Sequence, residues 1–315
     1  MKMNKKYLNL YTDFLKKFLN PKCKLKVVFD CSNGTTGLIL KKLKIENLKL
    51  KIINSIPDGN FPAHGPNPWT KDAMNQIRRE ALHRKADLGI IFDADGDRVF
   101  FIDNLGRVVE PDAIARLLIW QLQPKKVVID VKTGWLVKKI KNQKSKIKII
   151  ESKVGHYFIK KLMRKIEADL GVEKSGHYYF KKFFYCDAGI LTAIEIINAV
   201  SRLPYSLANF SDLLPQYYRS GELNFKIENP KQFIKIIEEK FKSKTTNYKL
   251  QITNYLDGLT MEFKGWPASR SLGEGWWFNL RPSNTEPLIR LNIEAKDLKT
   301  LNNKKRELIN ILKNH

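Results

Sequence analysis

The sequence predicts an α/β protein: two doubly wound α/β units with mixed or parallel sheets, then a smaller α+β C-terminal unit. Three observations carry this. Short Val/Ile-rich runs alternate with helical patterns from about residue 26 to residue 201, the signature of parallel strands covered by helices. The last hundred residues instead run strand after strand between two helices, an antiparallel arrangement. The chain has 315 residues, enough for two or three independent cores. The expected boundaries are 1–104, 105–216 and 217–315.

A Lys-rich amphipathic stretch through Phe18 opens the chain, and is expected to leave an apolar or charged face open beside the first unit. Strands are then expected at 26–30, 49–53, 88–92 and 99–102, with helices at 36–43 and 70–84. In the second unit the periodicity predicts helices at 111–121, 135–141 and 156–166, strands at 126–131, 146–150 and 168–172, and an amphipathic helix at 187–201. The repeated pattern raises the expectation that these two units are structural copies. The third unit reads as strands at 223–227, 250–252, 259–263, 276–280 and 288–293, with helices at 231–241 and 298–312. Surface loops are expected at 242–249 and 265–275, and Trp266, Trp276 and Trp277 read as packing residues rather than a sugar platform.

Four segments carry chemistry. Arg281-Pro282-Ser283-Asn284-Thr285-Glu286-Pro287, followed by Leu288-Ile289-Arg290, sets two arginines, two hydroxyls and an amide between two prolines. A guanidinium fork fits phosphate oxygens two at a time, the neutral donors complete the grip, and the prolines hold the loop in one shape. The second segment, Asp93-Ala94-Asp95-Gly96-Asp97-Arg98, joins two apolar strands. Its three alternate carboxylates would repel one another without a cation, and Mg²⁺ accepts a few carboxylates together with water and phosphate oxygens. A calcium loop would need Gly sixth and Glu twelfth, where this chain has Arg98 and Asn104. Arg98 suits a phosphate that bridges metal and protein. In the third, Glu173-Lys174-Ser175-Gly176-His177, carboxylate and hydroxyl can take neighbouring sugar hydroxyls, although the loop also reads as an ordinary turn. In the fourth, Lys153-Val154-Gly155-His156 opens a helix, a position that favours an anion, although a lone His is as often structural.

Taken together in their order along the chain, the four segments resemble the α-D-phosphohexomutase family of phosphomannomutases and phosphoglucomutases, and the stretch Pro57-Asp58-Gly59-Asn60-Phe61-Pro62 with His64 and Pro66-Asn67-Pro68 is similar to a further family segment. The resemblance implies Mg²⁺ at Asp93, Asp95 and Asp97, and Arg98 on the reacting phosphoryl group. Lys153 and His156 would position substrate. Glu173, Ser175 and His177 would bind the sugar, and Arg281, Ser283, Asn284, Thr285 and Arg290 the other phosphate. It also implies a phosphoserine in a Thr-Ala-Ser-His-Asn-Pro type loop, and none occurs in these residues; Ser32 and Ser175 belong to other segments. The similarity therefore covers the family's second to fourth domains. Two readings follow. One is the larger part of a phosphohexomutase that interconverts hexose 1- and 6-phosphates through a bisphosphate, its phosphoserine domain supplied by a separate chain, an upstream start or a split gene. The other is a non-catalytic Mg²⁺- and sugar-phosphate-binding protein; the intact motif residues argue against a third, a degraded remnant.

The net charge of +25 raises nucleic-acid binding as an alternative. Lysine dominates over arginine and is spread along the whole chain, and no nucleic-acid-binding signature appears, so no specific nucleic-acid partner is expected. A positive field also attracts dianionic sugar phosphates. No apolar run reaches membrane-spanning length, so no membrane partner is expected. Cys23, Cys31 and Cys186 lack metal-ligand spacing and fit a reduced, cytoplasmic protein, most simply as buried small apolar groups.

Overall fold

The computed structural model of the chain describes residues 5–43, 47–140, 147–227, 229–243, 248–265, 275–283 and 286–313. Among these residues the strands form three five-stranded sheets. The first part of the chain runs α1 (Lys5–Lys16), β1 (Leu25–Asp30), α2 (Thr36–Leu40), β2 (Leu48–Ile53), α3 (Asn75–His83), β3 (Leu88–Phe92), β4 (Val99–Ile102) and β5 (Val108–Val109). The sheet order is β2-β1-β3-β4-β5. Strand β1 pairs in parallel with β2 and β3, while β3, β4 and β5 pair antiparallel. Helix α3 starts later than the expected residue 70, because Asp72 takes a left-handed conformation (φ 65°) that a helix cannot contain, while upstream Asn67 holds the chain in a turn. Its side-chain oxygen takes the Trp69 N–H at 3.1 Å and its carbonyl takes the Thr70 hydroxyl at 2.8 Å.

The second sheet repeats this plan. Its elements are α4 (Pro111–Leu122), β6 (Lys126–Asp130), α5 (Trp135–Lys138), β7 (Lys148–Ser152), α6 (His156–Ile166), β8 (Leu170–Val172), β9 (Tyr178–Phe180), β10 (Cys186–Asp187), α7 (Gly189–Val200) and α8 (Leu207–Leu213). The order is β10-β9-β8-β6-β7, with β6 and β8 parallel and β8, β9 and β10 antiparallel. In both sheets a buried parallel strand turns through a polar loop into an antiparallel partner: β3 to β4 through residues 93–98, and β8 to β9 through residues 173–177.

One apolar core runs through both sheets. At its centre lies α7, which packs on α4, β3 and β4. The amphipathic helix expected at 187–201 is corrected here: all twelve residues of α7 are buried. A helix enclosed on every side needs no polar face, and its one acid, Glu195, is neutralised by an ion pair with Lys182. The opening helix α1 is not left open as expected. Leu15 is fully buried, and Tyr11, Phe14 and Phe18 pack against the core. The chain after it is tied down by Asn198, whose side chain donates to the Phe18 carbonyl at 2.7 Å and accepts from the Asn20 N–H at 2.8 Å. Only Tyr7 and Leu10 stay exposed among the large apolar residues of α1.

The last part runs β11 (Tyr218–Lys226), α9 (Pro230–Ser243), β12 (Tyr248–Asn254), β13 (Leu259–Gly265), β14 (Trp276–Pro282), β15 (Leu288–Ala295) and α10 (Leu298–Lys313). All its strands pair antiparallel in the order β11-β15-β14-β13-β12. It has its own core, in which Phe233, Ile237 and Phe241 of α9 meet Trp276, Phe278 and Leu291. Trp276 and Trp277 are both buried, and Trp276 stacks on Phe263 with ring centres 4.5 Å apart; Trp266 lies outside the described residues, as do most of the loops expected at 242–249 and 265–275.

By contact density the chain divides into two compact units. One comprises Met1–Ile129, Leu136–Ile150 and His156–Leu214; the other comprises Asp130–Trp135, Glu151–Gly155 and Pro215–His315. Among the described residues no helix is long and apolar enough to cross a membrane. Of the three free cysteines only Cys31 is buried, where desolvation pushes its thiol up to about 12. Cys23 is exposed and Cys186 half-buried, so the expectation of three buried thiols is corrected.

Candidate active site

The acidic loop is shaped by what lies beneath it. Strand β3 is buried along its whole length, so Asp93 enters the loop from the core and is itself buried. One of its oxygens accepts the Gly96 and Arg98 N–H groups at 3.1 Å each, and the other accepts Arg98 Nε at 2.5 Å. Such bonds curl the loop and fix Arg98 beside it. Two close backbone approaches clasp the loop. A Cβ on Gly34 would stand 2.1 Å from the Ala94 carbonyl oxygen, and one on Gly189 would stand 2.5 Å from the Gly96 carbonyl oxygen, so both positions require glycine.

The Pro57–Pro68 stretch, to which the sequence alone gave no task, supports the same loop. The Pro66 carbonyl accepts the Ala94 N–H at 3.1 Å. Nearby, His64 Nε2 meets Asp30 Oδ2 at 3.1 Å, with both side chains nearly out of solvent. The other Asp30 oxygen accepts the Ser32 N–H and the Asn54 side chain. The hydrogen bond to Asp30 raises the His64 pKa above its usual value, against the opposing effect of burial.

Asp93, Asp95 and Asp97 each bring one carboxylate oxygen within 4.8 Å of the others. The cost of this crowding is visible at Asp97. Burial, with the nearby charges of Asp93 and Asp95, pushes its carboxyl up to about 7 although His177 pulls the other way. A cation relieves the mutual repulsion of three carboxylates held this close, so the donor set fits a hard divalent ion such as Mg²⁺.

The loop at residues 173–177 is joined to this one directly. Arg98 and His177 form an antiparallel bridge, and the Gly176 carbonyl accepts the Val99 N–H at 3.1 Å. Glu173 closes its own turn, its N–H donating to the His177 carbonyl and its carbonyl accepting from the Gly176 N–H. Its carboxylate is buried and accepts the Tyr179 hydroxyl at 2.9 Å. The Ser175 hydroxyl is shielded from solvent and finds no hydrogen-bond partner, which leaves it available to a ligand hydroxyl. His177 Nδ1 lies 3.3 Å from Asp187 and 3.7 Å from Asp97. Burial lowers the His177 pKa, but Asp187, Glu173 and Asp97 together raise it above the usual value. Asp187, although burial opposes ionisation, is held at about 2 by His177 and Lys160.

The arginine pair belongs to the second unit. Arg281 of β14 and Arg290 of β15 stand directly opposite each other in the sheet register, and Arg281 is buried. Ser283 closes the connecting loop with its N–H on the Leu288 carbonyl at 2.8 Å. Its hydroxyl accepts Arg290 Nη2 at 3.1 Å. Buried Nε atoms of both arginines lack a hydrogen-bond partner. Asn284 and Thr285 lie outside the described residues. Of the fourth sequence segment, Lys153 is exposed in the second unit, next to Val154, whose N–H bonds Asp257 at 3.0 Å; His156 is exposed at the start of α6 in the first unit.

Four charged residues reach these sites without a motif to announce them. Asp187 and Lys160 flank His177, and Glu222 and Lys132 meet at the arginine pair, 3.7 Å apart. Only strand register and chain return place them there.

These features define an α/β protein with an acidic loop of three clustered aspartates and a pair of facing arginines. Family profiles for α/β/α domain II, α/β/α domain III and the C-terminal domain of phosphoglucomutase/phosphomannomutase match residues 5–106, 110–218 and 222–311. The chain belongs to the phosphoglucomutase/phosphomannomutase family. It is 37% identical over 305 residues to a phosphomannomutase from Methanocaldococcus jannaschii, covering 94% of this chain and 64% of that protein. It is 33% identical over 318 residues to a phosphomannomutase from Vibrio cholerae, covering 96% and 65%. The chain thus spans about two thirds of these relatives' length. A crystal structure of a phosphoglucomutase/phosphomannomutase family protein from Burkholderia thailandensis shares the fold at TM-score 0.80 and 23% identity, over 97% of this chain and 64% of that one. An Aspergillus fumigatus N-acetylphosphoglucosamine mutase, solved with GlcNAc-6P and magnesium, shares it at TM-score 0.63 and 14% identity, over 97% and 69%.

Proposed function

We propose that this chain is the metal-, sugar- and phosphate-binding part of a phosphohexomutase that interconverts hexose 1- and 6-phosphates through a bisphosphate. The observation that carries the reading is the bridge between Arg98 and His177. It ties the loop whose carboxylates would hold a cation to a loop with an unpartnered hydroxyl that would meet a sugar oxygen. Arg98 contacts the phosphoryl group in flight, since charge stabilisation carries most of such a transfer. Asp93, Asp95 and Asp97 would hold Mg²⁺, which would supply neutralisation of the charge developing on phosphate oxygens. Glu173, Ser175 and His177 orient the sugar, and Lys153 and His156 position the substrate. Arg281, Ser283, Asn284, Thr285 and Arg290, joined by Lys132, grip the phosphate that does not react.

The phosphoryl donor of this reaction is a serine phosphate outside the present 315 residues, carried by a domain on the same or a separate polypeptide. The test is turnover of glucose 1-phosphate and mannose 1-phosphate with Mg²⁺ and a hexose bisphosphate. The 315-residue chain alone should be inert, and a phosphoserine domain added in trans should give turnover. Turnover by the chain alone at rates typical of enzymes, on the order of 10 s⁻¹, would refute the external donor.

A further inference from the structure

The arginine pair holds a carboxylate where its ligand would go. Arg281 and Arg290 face each other on neighbouring strands, a like-charge pairing that destabilises a sheet unless it is neutralised. Glu286 pairs with Arg290 alone, at 3.2 Å, whereas Glu222 of β11 reaches both arginines. Its register partner on β15 is Asn292, two residues from Arg290, which puts its side chain diagonal to the pair. One carboxylate oxygen accepts Arg290 Nη1 at 3.1 Å, and the other accepts Arg281 Nη2 at 3.4 Å and lies 3.7 Å from Lys132 Nζ. Burial works against ionisation of Glu222, yet Lys132, Arg281 and Arg290 outweigh it and keep the carboxyl below its usual range. The carboxylate is thus charged and spans both guanidinium groups.

We propose that Glu222 is the clamp's resident counter-ion: it occupies the guanidinium donors while no ligand is bound, and a ligand phosphate takes them over in exchange. This rests on the clamp reading above. Its consequence is an affinity held below what the bare arginines would give. The anion that leaves is replaced at once by a carboxylate already in place, so release does not strand the buried charge of Arg281. A weak grip of this kind suits a ligand that must leave or turn around between two transfers.

The experiment is calorimetric titration of the chain with inorganic phosphate at constant ionic strength, on wild type, Glu222→Gln and Glu222→Asp, with melting curves in phosphate-free buffer and at saturating phosphate. Removing the competing charge should tighten phosphate binding by about tenfold in Glu222→Gln. That variant should melt lower than wild type without phosphate and recover when phosphate saturates it. Equal or weaker binding in Glu222→Gln would overturn the exchange and leave the clamp standing. Absence of phosphate binding in every protein, wild type included, would overturn the clamp reading and the exchange with it. Should Glu222→Gln fail to fold, Glu222→Asp decides. Its carboxylate is one methylene too short to span both arginines, so it should also bind phosphate more tightly than wild type, and equal or weaker binding would overturn the proposal.

Discussion

Arg98 and His177 pair backbone to backbone across a single antiparallel bridge outside every regular strand. Residues 79 apart in sequence are thereby held in one register. The carboxylate of Asp97 and the imidazole of His177 consequently approach to 3.7 Å, and the acidic loop at residues 93–98 is tied to the loop that carries Ser175.

The cation loop should bind Mg²⁺ or Mn²⁺ with Asp95 as a ligand. Asp95 is the exposed member of the trio, so Asp95→Asn should leave folding intact. Titration calorimetry should show binding to wild type and at least about tenfold weaker binding to the variant, since even changes outside the ligand shell cost that much. Identical titrations would refute the assignment.

Replacing Gly34 by alanine should disturb this loop from below. The new Cβ would collide with backbone rather than a flexible side chain, so relaxation must move residues 93–95. A loss of about 1–3 kcal/mol in stability is expected from overpacking, with a parallel loss of Mn²⁺ affinity. A variant as stable as wild type, with unaltered Mn²⁺ binding, would show that the two loops are not coupled.

The pair of His64 and Asp30 predicts a pH dependence. The His64 pKa is raised above 6.5 in the folded chain, so the charged pair adds stability that is fully present below pH 6.5. It is lost as pH rises through the folded-state value. Denaturant unfolding across this range should show stability declining from this cause, and His64→Gln should flatten the slope. An unchanged slope in the variant would assign the pH dependence elsewhere.

Arg281→Ala should weaken binding of glucose 1-phosphate and glucose 6-phosphate by about tenfold or more, the loss of one charge-assisted contact. Thermal-shift titration at millimolar ligand reads this directly. Equal shifts in wild type and variant would remove Arg281 from the clamp.

The elements were legible because they are local. Strands such as Leu88–Phe92 and helices such as His156–Ile166 show in the sequence with boundaries close to those observed, since a run of buried residues or a 3.6-residue period needs no knowledge of the rest of the chain. Helix α7 was legible as a helix and misread as amphipathic. Its enclosure depends on α4, β3 and β4 closing around it, and no window along the chain contains that information.

The sites divide in the same way. The three aspartates, the loop at residues 173–177 and the arginine-rich loop stand out in the sequence because each packs its polar groups into about ten residues. Tertiary structure alone decided that the first two are cross-linked through Arg98 and His177, that Asp187 stands behind His177, and that Glu222 lies across Arg281 and Arg290. The physical reason is strand register and chain return. A β-sheet sets residues from distant segments within hydrogen-bond reach, and which charges then neutralise one another follows from that geometry.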